Sequence, residues 1–150
     1  GQAGSCITAT AERNGLSLIA VVLGADSTDH RFQDAAALLD YGFAGWKATV
    51  PEAPALEPVP VARGMAPTVE AQVGESPSLL LEAAETGSVE TEVLLEELTA
   101  PIKAGDVIGT VRYNLGGEVL AEVDITAAGD VEAVTFASAL GHLFRGLFAL

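Results

Sequence analysis

Cations are what this 150-residue chain has least of for its size: 7 Lys and Arg stand against 21 Asp and Glu, a formal charge of −14. Such a surface repels a phosphate backbone, which argues against nucleic acid as a partner. Cysteine is nearly absent. Cys6 alone excludes a disulfide framework and a Cys-based zinc site, and among β-patterned residues it reads as a small buried thiol rather than a nucleophile. His30 and His142 lie far apart in unrelated contexts, so neither a metal nor a cofactor is expected. No apolar run reaches the roughly 18 residues of an ordinary transmembrane helix. Also missing are a Ser three residues before a Lys, a Gly-x-Ser-x-Gly elbow and a phosphate loop, so no residue here is assigned as catalytic. The first residue is Gly1 rather than Met, without a leader, and the chain is expected to continue something longer.

What is present is ample core material, with 49 % hydrophobic residues, enough to make disorder unlikely on composition alone. Ser5 to Ala11 and Leu16 to Leu23 pattern as two strands, joined at Asn14-Gly15 by a turn whose residues tolerate positive φ. The second is apolar nearly throughout, the mark of a strand covered on both faces. Ser27, Thr28 or Asp29 can cap a helix running to Asp40 or Tyr41, with Phe32, Ala35, Ala36, Leu39 and Phe43 on one face, Gly42 as its stop and Trp46 extending that face. Four prolines between Ala48 and Pro60 break the pattern and open a second region. There, Pro58–Ala62, Thr68–Val73, Ser78–Glu82, Val89–Leu95, Val107–Tyr113 and Val119–Thr126 give short strands at all-β spacing. Glu90, Glu92 and Glu96 mark the wet side of that sheet. In the tail, Phe136, Leu140, Leu143, Phe144 and Leu147 share one helical stripe, opposite Thr135, Ser138, His142 and Arg145.

Several features are weighed and set aside. Paired carboxylates such as Glu96-Glu97 are a solvated face in so acidic a chain. Lys103 precedes the Gly105-Asp106 turn between Ile102 and Ala104, unlike the exposed Lys of a biotinyl or lipoyl carrier. Arg31, in the first helical turn just beyond the second strand, reads either as a surface or ion-pair residue or as a group facing a site.

The order of motifs is informative. Ala3-Gly4, the strands Thr8 to Gly15 and Leu16 to Gly24, then Arg31 through Leu38-Leu39-Asp40-Tyr41-Gly42-Phe43 resemble the last part of the transpeptidase-like domain of serine D-alanyl-D-alanine carboxypeptidases. These are low-molecular-mass penicillin-binding proteins of the type with a C-terminal β domain. Ala100-Pro101, Gly105 and Gly109 are similar to that β domain's Ala-Pro-x-x-x-Gly-x-x-x-Gly signature, and the tail resembles the family's membrane-surface anchor. The resemblance implies an α+β fragment of a penicillin-binding/β-lactamase-like domain over residues 1–48, a hairpin plus helix. An all-β sandwich over 49–130 and an amphipathic membrane-surface helix over 131–150 would follow.

The family's Ser-x-x-Lys, Ser-x-Asn and Lys-Thr-Gly motifs would all lie upstream of Gly1. For the intact protein the resemblance implies a serine acyl-enzyme of the bacterial envelope that trims the terminal D-Ala of peptidoglycan pentapeptides. Its implied partners are the stem peptide, near Arg31, and a membrane surface through Phe136, Leu140, Leu143, Phe144 and Leu147; a homo-oligomer is a further expectation. The competing expectation is a non-enzymatic cell-wall or partner-binding β module with the same anchor.

Overall fold

A computed structural model describes residues 4–135. In chain order its elements are β1 (Ser5–Arg13), β2 (Leu16–Ala25), α1 (Thr28–Gly45), β3 (Trp46–Thr49), β4 (Val59–Ala62), β5 (Thr68–Val69), β6 (Ala71–Val73), β7 (Leu79–Glu82), β8 (Glu90–Leu95), β9 (Leu98–Thr99), β10 (Val107–Leu115) and β11 (Glu118–Ala127). They fall into two compact units. One holds the chain up to Pro51 together with Ser78–Val89; the other holds Glu52–Pro77 and the chain from Glu90 onward.

In the first unit β1 and β2 form an antiparallel hairpin, turned by Asn14 and Gly15 at φ 52° and 78°. Two left-handed residues match the turn's twist to that of the strands. Ser27 caps α1, its hydroxyl accepting from the His30 N–H at 3.1 Å. Ala20, Val22 and Ala35 form the buried centre, with Ile7, Ala9, Ala25 and Leu39 packed around it. Only one face of the hairpin is covered among the described residues. On the other, Ile19, Val21 and Leu23 are 71 %, 55 % and 76 % exposed, where the sequence pattern requires a cover on both sides.

Four local readings are corrected here. The helix does not stop at Gly42 but runs to Gly45, where the Trp46 N–H caps it by donating to the Gly42 carbonyl. Gly42 is a packing position instead: a Cβ there would lie 2.6 Å from Leu18 Cδ1, so its absence lets α1 close on β2. Trp46 leaves the helical face and begins β3. Its partner is β7, in the register Trp46↔Glu82 to Thr49↔Leu79, so the run expected as a strand of the β region pairs with the first unit instead. Cys6 is exposed on the outer face of β1, not buried.

The second unit is built on an antiparallel sheet in the order β6-β11-β10-β8. Its middle strand carries the alternation that decides the core: Val111 and Tyr113 point inward with Ile108 and Ile125 and are essentially free of solvent. Burying each such side chain is worth about 1.5–3 kcal/mol. On the opposite face Arg112 pairs with Glu122 across β11, and Asn114 Nδ2 donates to Glu92 at 3.5 Å across β8. That is the wet side the glutamates marked. A smaller sheet, β5-β4-β9, joins β4 to β9 in parallel, an exception to the antiparallel alternation read from the sequence. Residues 131–135, assigned to the tail helix by pattern, are not helical: Val131 bridges Ile102 and Ala133 bridges Gly64. The stripe from Phe136 to Leu147 lies outside the described residues. Among the described residues no helix is long and apolar enough to cross a membrane.

Candidate functional site

The first unit places Arg31 where a strand end, a bulge and a helix start meet. Ser27 fixes the first turn of α1, and the Arg31 N–H donates to the Ser27 carbonyl at 3.3 Å. From there the side chain reaches back across the hairpin's open end, and Nη1 donates to the Cys6 carbonyl at 3.2 Å. The β1–β2 register shifts between Ser5 and Ile7 at the same place. A bulge re-aims the backbone and frees a carbonyl from the ladder. The guanidinium lies 5.1 Å from the Phe32 ring centre.

The geometry leaves Arg31 half-used. Its Nε is buried without a hydrogen-bond partner. An unsatisfied buried donor costs about 1–3 kcal/mol, and more beside a charge. A carboxylate of the chain packed against Nε would satisfy it with a charge-assisted bond. Neither the Cys6 carbonyl, with one oxygen, nor any carboxylate of the described residues takes that role. The pattern reading had located Arg31 by position; its carbonyl contact and idle Nε depend on the fold of β1 against α1.

Other candidates separate from it. No group of three or more His, Cys, Asp and Glu among the described residues could hold a metal. Lys103 belongs to a clasp in the second unit. Asp130 Oδ1 accepts from the Ala104 N–H at 2.8 Å and Oδ2 from Lys103 Nζ at 3.2 Å, while the Lys103 N–H donates to Asp106 at 2.7 Å. The Ala104 N–H, and after it the Lys103 ammonium, hold the Asp130 carboxyl below the ordinary aspartate range. That clasp closes a turn. It leaves no carrier lysine at a hairpin tip.

Residues 50–133 match the family described as "Penicillin-binding protein 5, C-terminal domain". The match takes in more than half of the chain, and the chain belongs to that family. Likeness extends beyond it in both sequence and structure. The chain is 30 % identical over 141 residues to the D-alanyl-D-alanine carboxypeptidase DacF of Bacillus subtilis, covering 91 % of this chain and 36 % of that protein. It is 31 % identical over 134 residues to the D-alanyl-D-alanine carboxypeptidase DacC of Escherichia coli, covering 87 % and 34 %. Penicillin-binding protein 5 from Haemophilus influenzae superimposes with a TM-score of 0.59 at 26 % identity, over 87 % of this chain and 40 % of that one. The chain thus spans about a third of the length of the curated relatives it matches.

Proposed function

We propose that this chain is the C-terminal portion of a serine D-alanyl-D-alanine carboxypeptidase, working in the bacterial envelope on the outer side of the cytoplasmic membrane. The observation that carries the reading is the extent of the likeness. Two carboxypeptidases match well beyond the β unit, over 91 % and 87 % of this chain. In this reading residues 1–48 are the last part of a penicillin-binding/β-lactamase-like domain, the β region that follows is a sandwich-type stand, and the tail lies on the membrane. The exposed Ile19, Val21 and Leu23 face is what a hairpin written for a larger sheet leaves behind when its neighbours are missing.

The division of chemistry follows. A nucleophilic serine needs an adjacent base and an oxyanion hole, and this chain carries no Ser/Lys pair at the required spacing. Upstream residues supply the acylation step, in which the serine oxygen attacks the penultimate D-Ala carbonyl and the terminal D-Ala leaves. Arg31 contributes recognition: its charge, held at the hairpin's open end by the Cys6 carbonyl, orders the groove or binds the peptide's terminal carboxylate. Phe136, Leu140, Leu143, Phe144 and Leu147 form the anchor's apolar stripe, holding the enzyme at the membrane surface.

Labelling with a β-lactam tests the reading. Mass spectrometry of this chain should show no adduct, and a version extended upstream should show one on a serine outside residues 1–150. An adduct on any serine within this chain overturns the division of roles. A correctly folded extended chain without an adduct favours the non-enzymatic β module.

A further inference from the structure

At the other end of the hairpin from Arg31, the β1–β2 turn and the end of α1 enclose a pocket of about 110 Å³, lined among others by Arg13, Asn14, Leu16, Phe43, Trp46 and Lys47. Two of the chain's seven cations meet there, in a molecule of formal charge −14. Arg13 is held flat: its Cζ stands 4.5 Å over the centre of the Phe43 ring. Nη2 reaches Asp40 at 3.4 Å, a long contact between two exposed side chains. Most of the guanidinium's five N–H donors stay open. The side chains of Lys47 and Asn14 have no hydrogen bond or ion pair among the described residues. A cavity with idle donors beside the partly exposed indole of Trp46 suits an anion with an apolar body.

We infer that this pocket binds the carboxylate of a small organic acid, with Arg13 and Lys47 on the charge and Trp46 against the attached body. The volume admits a carboxylate and the few atoms next to it, so the remainder of the ligand lies outside. Phosphate is a poorer match, because it brings no apolar body for Trp46. Two sources offer the chemistry, a sugar acid and the C-terminal carboxylate of a peptide. The site does not depend on the carboxypeptidase reading, and it would stand if that reading failed.

Trp46 is the chain's one tryptophan, so intrinsic fluorescence reports on this pocket directly. Titration of the full chain with N-acetylmuramic acid and with N-acetyl-D-alanine should give a saturable change with at least one, weakening as salt screens the charges. Neutral N-acetylglucosamine should give none. Saturation by the sugar acid alone assigns the pocket to a sugar acid; comparable saturation by both assigns it to a carboxylate regardless of what carries it. Arg13→Gln should raise the apparent Kd about tenfold or more, the loss of one charge-assisted contact. Asp40→Asn should lower it by releasing Arg13, and Arg13→Lys should retain part of the affinity. No saturable change with either acid overturns the proposal. So does an equal response to N-acetylglucosamine, or an unchanged Kd in a folded Arg13→Gln variant.

Discussion

Gly109 and Leu94 come so close across the β10–β8 pair that a Cβ on the glycine would sit 2.5 Å from the Leu94 carbonyl oxygen, with Leu95 Cα 3.2 Å away. The obstacle is backbone, which cannot swing aside as a side-chain tip can. The sheet's edge strand therefore rests on the absence of one methyl group. Gly109→Ala should cost about 1–3 kcal/mol, the usual range for overpacking a fitted interface. Gly87, with nothing within 4 Å and no unusual φ, is the control. Its change to Ala should stay within about 0.5 kcal/mol in urea denaturation.

Asp130 makes the second unit's stability pH-dependent in a definite direction. Its folded pKa is lowered, chiefly by the Ala104 N–H and then by Lys103. A carboxyl lowered on folding binds its proton more readily when unfolded, so its contribution is fully present above the ordinary aspartate range. It is lost as pH falls through that range toward the lower folded value. Asp130→Asn should flatten this acid limb and leave the shape of the curve above it unchanged, as measured by denaturation midpoints over a pH series.

On the proposed carboxypeptidase reading, Arg31→Ala in the longer protein should reduce kcat/KM for D-Ala-D-Ala peptides by roughly 10- to 150-fold, the loss of a charge-assisted contact. Stability should fall by only about 0.5–1.5 kcal/mol, since the folding role visible in the structure is one hydrogen bond to the Cys6 carbonyl and a loose contact with the Phe32 ring. Arg31→Lys should recover stability better than turnover, because an ammonium cannot offer two parallel donors. A lowered melting temperature with unchanged kinetics would make Arg31 purely structural.

The open face of the hairpin should make this chain self-associate when it is produced alone. Ile19, Val21 and Leu23 form a row on one strand face, and contiguous exposed apolar surface of that kind drives association. Changing all three to Thr should move the sedimentation profile toward monomer while far-UV circular dichroism is retained. On the proposed reading, in which upstream residues cover that face, a chain extended upstream should be monomeric without the substitutions. Association of the extended chain to the same extent would assign the surface to an oligomer.

Much of this molecule was legible in its residues because local rules fix local structure. Asn14-Gly15 can hardly do anything but turn, Ser27 caps, and the alternation through Val111, Tyr113 and Ile125 separates a dry face from a wet one in any antiparallel sheet. Arg31 is singled out as a candidate by its place after a strand and at a helix start. What failed to show was whatever depends on a neighbour distant in the chain. Gly42 reads as a helix stop until Leu18 is seen beneath it, and Leu79–Glu82 reads as one more strand of the β region until Trp46–Thr49 takes it as partner. Strand propensity says that a segment will pair; only the three-dimensional arrangement chooses with what. Leu98–Thr99 is too short to carry any period, and it is a strand solely because β4 lies alongside. The Arg13 pocket belongs to the same class, since Arg13 and Trp46 are 33 positions apart (46 − 13) and meet only through the packing of α1 on the hairpin. Chemistry-bearing residue types are written in the sequence, whereas their convergence is a property of backbone paths that no single segment determines.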